Sequence, residues 1–151
     1  MALPTYTMSC FLLPKTVCRK IAAIMSDFWW KNKEESRGMH CKSWDQLTKP
    51  KELDGVGFKD IEAFNLGLLG KQLWRLVTKK TSLLAQIYKS RYYSKSDPLN
   101  AELGSNPSYA WKSIHAAQKL IKQGARVIIG NGINTNIWLD QWIKFKPGRK
   151  V

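Results

Sequence analysis

The segment from Asp60 to about Thr78 is the longest stretch of regular apolar spacing in the chain, and it constrains the fold most. Its apolar side chains recur every three or four residues, as on one face of an α-helix: Ile61, Phe64, Leu68, Leu69, Leu73 and Leu76. The resulting apolar arc is too wide for a helix that is lightly attached to a surface. Asp60 is a suitable N-cap for this helix. We therefore expect it to lie at the centre of a helical core.

Further helices are predicted on the N-terminal side of this segment. A short helix begins near Pro4, and a longer amphipathic helix runs from Pro14 to Trp30. The apolar positions of the longer helix are Val17, Ile21, Ile24, Met25 and Phe28. Ser43 and Gln46 match a capping pattern at the head of a short helix that ends before Pro50.

On the C-terminal side, Thr81 or Ser82 is expected to cap a helix that runs toward Tyr92. Its apolar positions are Leu83, Leu84, Ile87 and Tyr88. Residues 94–107 are rich in polar residues, proline and glycine, which predicts a long exposed loop. Residues 108–123 then read as one helix that ends at Gly124, with these side chains inward: Trp111, Ile114 and Leu120.

The end of the chain has a different pattern. β-Branched residues at 127–129 and 133–137 flank Gly130-Asn131-Gly132, which is a strong signal for a β-hairpin. The sequence therefore predicts a mainly α fold with a C-terminal β-hairpin.

Size and charge narrow the possible classes of protein. A chain of 151 residues favours one compact domain over two separate cores. The hydrophobic fraction of 44% excludes collagen-like, low-complexity and wholly disordered chains. Lys and Arg total 25 against 11 acidic residues, giving a net charge of +14, and this excess predicts a polyanionic partner such as nucleic acid.

The cysteines and the apolar runs indicate the environment of the protein. Cys10, Cys18 and Cys41 form no CxxC pair, and their odd number favours reduced, buried thiols in an intracellular protein over a disulfide framework. Basic residues interrupt the N-terminal apolar region before it reaches the roughly 18 residues that span a bilayer. We expect a soluble protein without a membrane partner.

No pattern in the sequence predicts catalysis, a metal or a cofactor. Two-metal polymerases and nucleases need clustered carboxylates, whereas the acidic residues here are scattered and suit caps, turns and solvated faces. His40, Cys41 and His115 cannot supply four zinc ligands at the usual spacing. With two histidines in the chain, no catalytic triad is indicated. We expect no enzyme activity.

A basic, aromatic stretch is the most informative feature for function. Between Glu62 and Asp97 the chain carries basic residues and no acid. Lys71, Arg75 and Lys79 recur every four residues, so on a helix they form a stripe that can face successive phosphates. The candidate nucleic-acid-binding residues of this stretch are Lys71, Trp74, Arg75, Lys79, Lys80, Lys89, Arg91 and Tyr92.

These residues also have a simpler interpretation. The basic side chains can solvate the outer faces of helices, and Trp74, Tyr92 and Tyr93 can be core or boundary aromatics. Alternatively, the aromatic rings beside Arg91 receive unstacked bases of a bound strand. The clustering of the whole set within an acid-free stretch favours a nucleic-acid-facing surface.

Many aromatic and glycine landmarks follow one another along the chain: Pro4 to Lys15, Phe28 to Trp30, Ser43-Trp44, Pro50-Lys51, Gly55 to Asp60, Phe64-Asn65, Leu68-Leu69, Lys71-Gln72, Trp74-Arg75, Ser90 to Tyr93, Pro107 to Ile114, Ile129 to Gly132 and Trp138 to Trp142. Their order resembles that of plant LINE-type (non-LTR) retrotransposon reverse transcriptases. The chain resembles the region that follows the polymerase core in that family. Asp54 is a departure, because the family usually has another glycine there.

The resemblance implies a helical thumb and connection module over residues 1–143, followed by a basic tail over residues 144–151. The polymerase palm and the ribonuclease H domain of that family would lie outside this module, and the chain contains no Tyr-x-Asp-Asp sequence. The chain also resembles short uncharacterised open reading frames of plant mitochondrial genomes. A mitochondrial location is therefore implied, with the nucleus as the alternative.

Together these features predict a non-catalytic, retroelement-derived fragment of a reverse transcriptase that binds RNA or DNA. It would need neither a metal nor another cofactor. A structural or protein-interaction module is the first alternative, with the positive charge serving solubility. A remnant reading frame without a function is the second.

Overall fold

A computed structural model describes residues 4–31 and 41–126 and the single positions 131 and 133. The described helices are α1 (Thr5–Cys10), α2 (Lys15–Trp30), α3 (Trp44–Leu47), α4 (Ile61–Thr78), α5 (Leu83–Tyr92), α6 (Tyr109–Ala116) and α7 (Gln118–Gly124), with a 3₁₀ helix at Lys51–Leu53. No strand occurs in residues 4–31 or 41–126, and the mainly α prediction is confirmed there. The predicted hairpin lies outside the described residues except for positions 131 and 133, as does the predicted boundary after residue 143.

Helix α4 lies at the centre of the fold, as predicted. The Asp60 carboxylate caps it by accepting the N–H groups of Glu62 at 2.9 Å and Ala63 at 3.3 Å. The helix contacts α1, α2, α6 and α7. Its side chains are buried along most of its length at these positions: Ile61, Asn65, Leu69, Leu73 and Leu76. The wide apolar arc of α4 therefore packs against other helices on several sides at once.

The main core surrounds Trp111 of α6, which is fully buried. The Tyr92 ring stacks on Trp111 with ring centroids 5.1 Å apart and planes 6° apart. Tyr88 and Tyr93 contact the same indole. Residues of α4, α5, α6 and the segments between them complete this core: Leu69, Leu73, Leu76, Ala85, Ala101, Ile114 and Ala117. A smaller cluster of Met8, Cys18 and Ile61 joins α1 and α2 to the start of α4.

The prediction of helix α2 is confirmed, but its apolar stripe is buried only in part. Ile21 and Met25 pack against the cluster that contains Cys18, and Cys18 and Ser26 are the buried positions of the helix. Val17, Ile24 and Phe28 are exposed, and Phe28 is 81% exposed. This part of the stripe has no covering element in the part of the chain that the structure describes. Helix α5 likewise exposes Leu83, Leu84 and Ile87.

The single helix predicted over residues 108–123 is wrong in detail, because the chain divides it at Ala117. The Ala117 N–H bonds to the carbonyl oxygens of both Ile114 and His115, which tightens the last turn of α6. Leu120 is 41% exposed rather than inward, while Ile121 packs against the core. Gly124 is the last residue of α7, and Ala125 is its C-cap.

The loop over residues 94–107 is also less exposed than predicted. Pro98 and Ala101 are buried, and Leu99 and Leu103 are half-buried against the main core. The Gln118 amide donates hydrogen bonds to the carbonyl oxygens of Pro98 at 2.9 Å and Ala101 at 2.8 Å. The loop is therefore held to the start of α7 by both apolar packing and hydrogen bonds.

The capping pattern at Ser43 is confirmed, since its hydroxyl accepts the N–H of Gln46 at 3.4 Å. In the turn that follows, Asp54 adopts a left-handed conformation with φ 62°. Aspartate enters this region more readily than most residues. Asp54 therefore has a backbone conformation that glycine, the usual residue of the resembled family at this position, also adopts easily.

Candidate nucleic-acid interface

The first group of predicted residues lies on the outer face of α4. Lys71, Trp74 and Arg75 are exposed, whereas Leu69, Leu73 and Leu76 on the opposite side of the helix are buried. Lys71 and Arg75 are one turn apart, about 6 Å along the helix axis. The Arg75 guanidinium donates to the Gln72 side-chain oxygen at 3.2 Å, and 44% of the surface of Trp74 is exposed. This surface combines two cations with an accessible indole.

Lys79 follows this group but is not part of the helix. The helix ends at Thr78, and Lys79 is its C-cap with φ −109° and ψ 64°. Its N–H donates to the Arg75 carbonyl oxygen at 2.8 Å, and its side chain is exposed. The predicted stripe is therefore helical through Arg75 and continues into the turn before α5.

The second group occupies a cleft beside the same turn. Lys80 and Lys89 line this cleft of about 100 Å³ together with Leu76, Tyr93 and Asp97. The Lys80 ammonium lies 4.0 Å from the Asp97 carboxylate, and both side chains are largely exposed. Because the pair is solvated, it leaves the charge of Lys80 only weakly neutralised. Asp97, the acidic residue that ends the acid-free stretch of the sequence, thus lies in the same cleft as Lys80 and Lys89.

Arg91 and Tyr92 form the third group at the end of α5. The Arg91 guanidinium carbon lies 5.5 Å from the centre of the Tyr92 ring. The ring stacks on Trp111, and its hydroxyl accepts the N–H of Ser108 at 3.2 Å. Tyr92 is therefore a boundary aromatic that supports Arg91. The same packing leaves Tyr93 buried.

The loop residues that lie beside Arg91 were not among the residues predicted from the sequence. The third group lines an open cleft of about 300 Å³ with Leu103, Gly104, Ser105 and Asn106. The Gly-Ser-Asn composition is a signal for a turn but not for a site. The contact with Arg91 depends on the packing of the loop against α5 and α6, which no local pattern encodes.

The tyrosines of this region respond differently to their surroundings. Burial, with smaller contributions from neighbouring groups, raises the pKa of Tyr88 and Tyr93. The hydrogen bond with Ser108 lowers the pKa of Tyr92, and the positive charge of Arg91 contributes in the same direction. These shifts match the positions of the rings, since Tyr93 lies in the core while Tyr92 is next to a cation.

Carboxylates gather in one other cleft, which is lined in part by Cys18, Asp45, Asp60 and Glu62. Asp60 is the cap of α4, and Glu62 forms an ion pair with Lys15 at 3.4 Å. Burial raises the pKa of the Cys18 thiol, and the Glu62 and Asp60 charges raise it further. In the described residues, no group of three or more His, Cys, Asp or Glu side chains is arranged to hold a metal ion.

None of the helices in residues 4–31 and 41–126 is long and apolar enough to cross a membrane. The three cysteines, all in the described residues, form no disulfide, although only Cys18 is buried. Cys10 is half-buried and Cys41 is exposed, so the prediction of buried thiols is correct for Cys18 alone.

Comparison with known proteins places the chain among plant proteins. "Uncharacterized mitochondrial protein AtMg00310" of Arabidopsis thaliana is 43% identical over 144 residues, which cover 95% of this chain and 94% of that protein. "Putative ribonuclease H protein At1g65750" of the same plant is 26% identical over 149 residues, covering 97% of this chain. The chain spans 24% of the length of that second relative. No protein-family model and no solved structure matches the chain. The first similarity extends over nearly all of both proteins, and the chain therefore belongs to the family of the uncharacterized mitochondrial protein AtMg00310.

Proposed function

We propose that this protein is a non-catalytic, retroelement-derived module that binds RNA or DNA through a basic surface. The surface consists of the outer face of α4 and the turn that follows it, and we call it the α4 surface: Lys71, Trp74, Arg75, Lys79 and Lys80. The observation that carries the proposal is the exposure of Lys71 and Arg75 on one face of the central helix, within a stretch that contains no acid from 63 to 96.

Binding at this surface would be directed mainly at phosphates. Exposed ammonium and guanidinium groups neutralise backbone charge and release counterions, which gives affinity without sequence preference. Trp74 offers a face on which a base or sugar can stack. Because the Tyr92 ring packs on Trp111, we assign it to the support of Arg91 instead of to base stacking.

The retroelement origin is supported by the order of motifs along the chain and by the second relative. That relative is named as a ribonuclease H protein, and this chain aligns with a quarter of it. We propose that the chain corresponds to a thumb and connection region without the catalytic domains of a polymerase or nuclease. The word mitochondrial in the name of the first relative supports a mitochondrial location.

The proposal is tested by charge reversal with a matched control. The variant K71E/R75E/K79E changes the α4 surface, and K20E/K49E/K51E makes the same charge change at exposed lysines of α2 and the segment after α3. Fluorescence anisotropy with labelled RNA and DNA oligonucleotides measures the affinity over a range of salt concentrations. The first variant is expected to weaken binding about tenfold or more and to reduce the salt slope by about three.

The control variant should lose less affinity, since distant charges act only through the screened field of the protein. Equal losses in the two variants would mean that net charge alone attracts the nucleic acid. Wild-type protein that binds no oligonucleotide, or binds with a flat salt response, would refute the proposal.

A protein-interaction function is the second candidate, and the exposed apolar stripe of Val17, Ile24 and Phe28 on α2 favours it. Purification of the protein from its source with and without nuclease separates the two functions. Co-purifying RNA or DNA that nuclease removes supports the first. A stable protein complex that resists nuclease and is lost in Phe28→Ser supports the second.

A further inference from the structure

The cleft between the end of α5 and the loop before α6 has the composition of an anion site. It is lined by Arg91, Tyr92, Leu103, Gly104, Ser105 and Asn106, and none of these residues is acidic. The cleft has a volume of about 300 Å³ and is open to solvent. It therefore has room for a phosphate group together with part of the molecule that carries it.

Arg91 contacts a ring that is itself fixed by the core. Its guanidinium carbon lies 5.5 Å from the centre of the Tyr92 ring, and that ring stacks on the buried Trp111. In residues 4–31 and 41–126, no carboxylate forms an ion pair with Arg91. A guanidinium that contacts a fixed ring and has no competing carboxylate loses less entropy when it binds a phosphate.

The loop on the other side of the cleft supplies neutral hydrogen-bonding groups. The side chains of Ser105 and Asn106 are exposed and form no hydrogen bond with another described residue. Gly104 has φ +77°, and a Cβ placed there would meet no atom within 4 Å. The position therefore favours glycine through its left-handed backbone conformation and not through a close contact.

We infer that this cleft binds a phosphate group, with Arg91 contacting two phosphate oxygens and Ser105 and Asn106 donating to the phosphate from the loop. We call it the Arg91 cleft. This inference deepens the proposed function and rests on it, because the phosphate we expect is one of a nucleic-acid backbone. The paired donors of a guanidinium match the oxygens of a phosphate, and charge-assisted bonds of this kind are among the strongest in proteins.

The position of the cleft relative to the α4 surface limits the ligand. Lys80 lines a separate cleft with Lys89 and Tyr93, whereas Arg91 and Tyr92 line the cleft beside the loop before α6. A single phosphate cannot occupy both clefts. A strand with several phosphates can, so the Arg91 cleft would add to the affinity of an extended nucleic acid while binding free phosphate weakly.

The first experiment uses the full chain labelled with ¹⁵N and inorganic phosphate as the probe. We expect the amide signals of Gly104, Ser105 and Asn106 and the Arg91 side-chain signal to shift on titration. Arg91→Lys keeps the charge but removes the paired donors and the planar contact with Tyr92, so it should abolish most of the shift. Arg19→Lys, at an exposed position of α2, makes the same change away from the cleft and should leave the shifts unchanged. Shifts that occur elsewhere, or that persist in Arg91→Lys, would refute the Arg91 cleft.

The second experiment uses a short thymidine oligonucleotide and separates this inference from the proposed function. Arg91→Lys is expected to weaken oligonucleotide binding about tenfold, as the loss of a charge-assisted hydrogen bond does. Ser105→Ala should weaken it less, and because Ser105 is exposed this variant should not disturb folding. An unchanged thermal midpoint confirms that each variant is folded.

The outcomes point to different conclusions. If K71E/R75E/K79E weakens oligonucleotide binding while Arg91→Lys does not, the Arg91 cleft is wrong and the proposed function stands. If inorganic phosphate shifts the cleft signals but no oligonucleotide binds, the cleft serves a small phosphate compound and the proposed function is wrong. Loss of binding in both variants supports both proposals.

Discussion

The side-chain oxygen of Asn65 accepts the backbone N–H of Leu13 at 2.8 Å and so joins the middle of α4 to the segment between α1 and α2. The amide nitrogen of Asn65 donates to the carbonyl oxygens of Met8 at 2.6 Å and Phe11 at 3.0 Å. Asn65 is 1% exposed. A single buried amide thus satisfies three backbone groups of the N-terminal segment and fixes α1 against the central helix.

Replacement of Asn65 by alanine is expected to destabilise the fold by about 2 to 4 kcal/mol, because three backbone groups at a buried junction lose their partner. Asn100→Ala, at an exposed position of the loop before α6, is the control and should change the free energy of unfolding by less than about 0.5 kcal/mol. Urea unfolding followed by circular dichroism measures both. Similar values for the two variants would contradict the role assigned to Asn65.

Two glycines are expected to respond in opposite directions to alanine. A Cβ at Gly55 would lie 1.8 Å from the backbone oxygen of Lys49, so Gly55→Ala must displace the backbone and should cost about 2 kcal/mol or more. A Cβ at Gly67 would meet nothing within 4 Å on α4, so Gly67→Ala should stabilise the helix by about 1 kcal/mol. Thermal unfolding of both variants distinguishes the effects. A stabilising Gly55→Ala would disprove the close approach in the turn.

The three cysteines are expected to react with iodoacetamide in the order of their exposure. Cys41 is exposed, Cys10 is half-buried and Cys18 is buried, and the pKa of Cys18 is raised by its burial. At neutral pH, peptide mass spectrometry should find Cys41 labelled first and Cys18 labelled only after unfolding. Rapid labelling of Cys18 in the folded protein would show that Met8 of α1 and Ile61 of α4 do not cover it.

The raised pKa of Cys18 also has a consequence for stability. The protonated thiol is favoured in the folded state, so its contribution is complete below the unfolded pKa of 9.0 and is lost as the pH rises through the folded value. Urea titration at a series of pH values measures the free energy of unfolding. As the pH rises above 8, this free energy should fall less in Cys18→Ala than in the wild type. Parallel pH profiles of the two proteins would contradict this.

The apolar stripe of α2 and the apolar arc of α4 are expected to differ sharply in their importance for stability. Phe28 is 81% exposed, so Phe28→Ala should change the free energy of unfolding by less than about 0.5 kcal/mol. Leu69 is fully buried, and Leu69→Ala should cost about 2 to 5 kcal/mol. Chemical unfolding of the two variants tests the difference. A large loss in Phe28→Ala would show that another element covers the stripe in solution.

Local signals predicted the helices and their starting points well. The side chains of Ser43, Asp60, Ser82 and Ser108 each accept a backbone N–H at the start of a helix. The first three positions are cap candidates from the sequence, whereas Ser108 is predicted only as the first residue of its helix. Local signals did not predict which part of the α2 stripe is buried. Ile21 and Met25 pack against the core beside Cys18, whereas Val17, Ile24 and Phe28 have the same spacing and are exposed. Spacing reports that a face is apolar and does not report whether another element meets it.

The candidate interface shows the same division. The sequence by itself determined that cations would alternate with aromatics through an acid-free stretch and that Lys71 and Arg75 would share a helix face, because both facts follow from residue order and the helical period. Only the tertiary structure decided that Asp97 returns to Lys80, that Tyr92 packs on Trp111, and that Ser105 and Asn106 lie beside Arg91. These contacts join residues that are distant in sequence, and they arise from the burial of Trp111 and the loop that covers it.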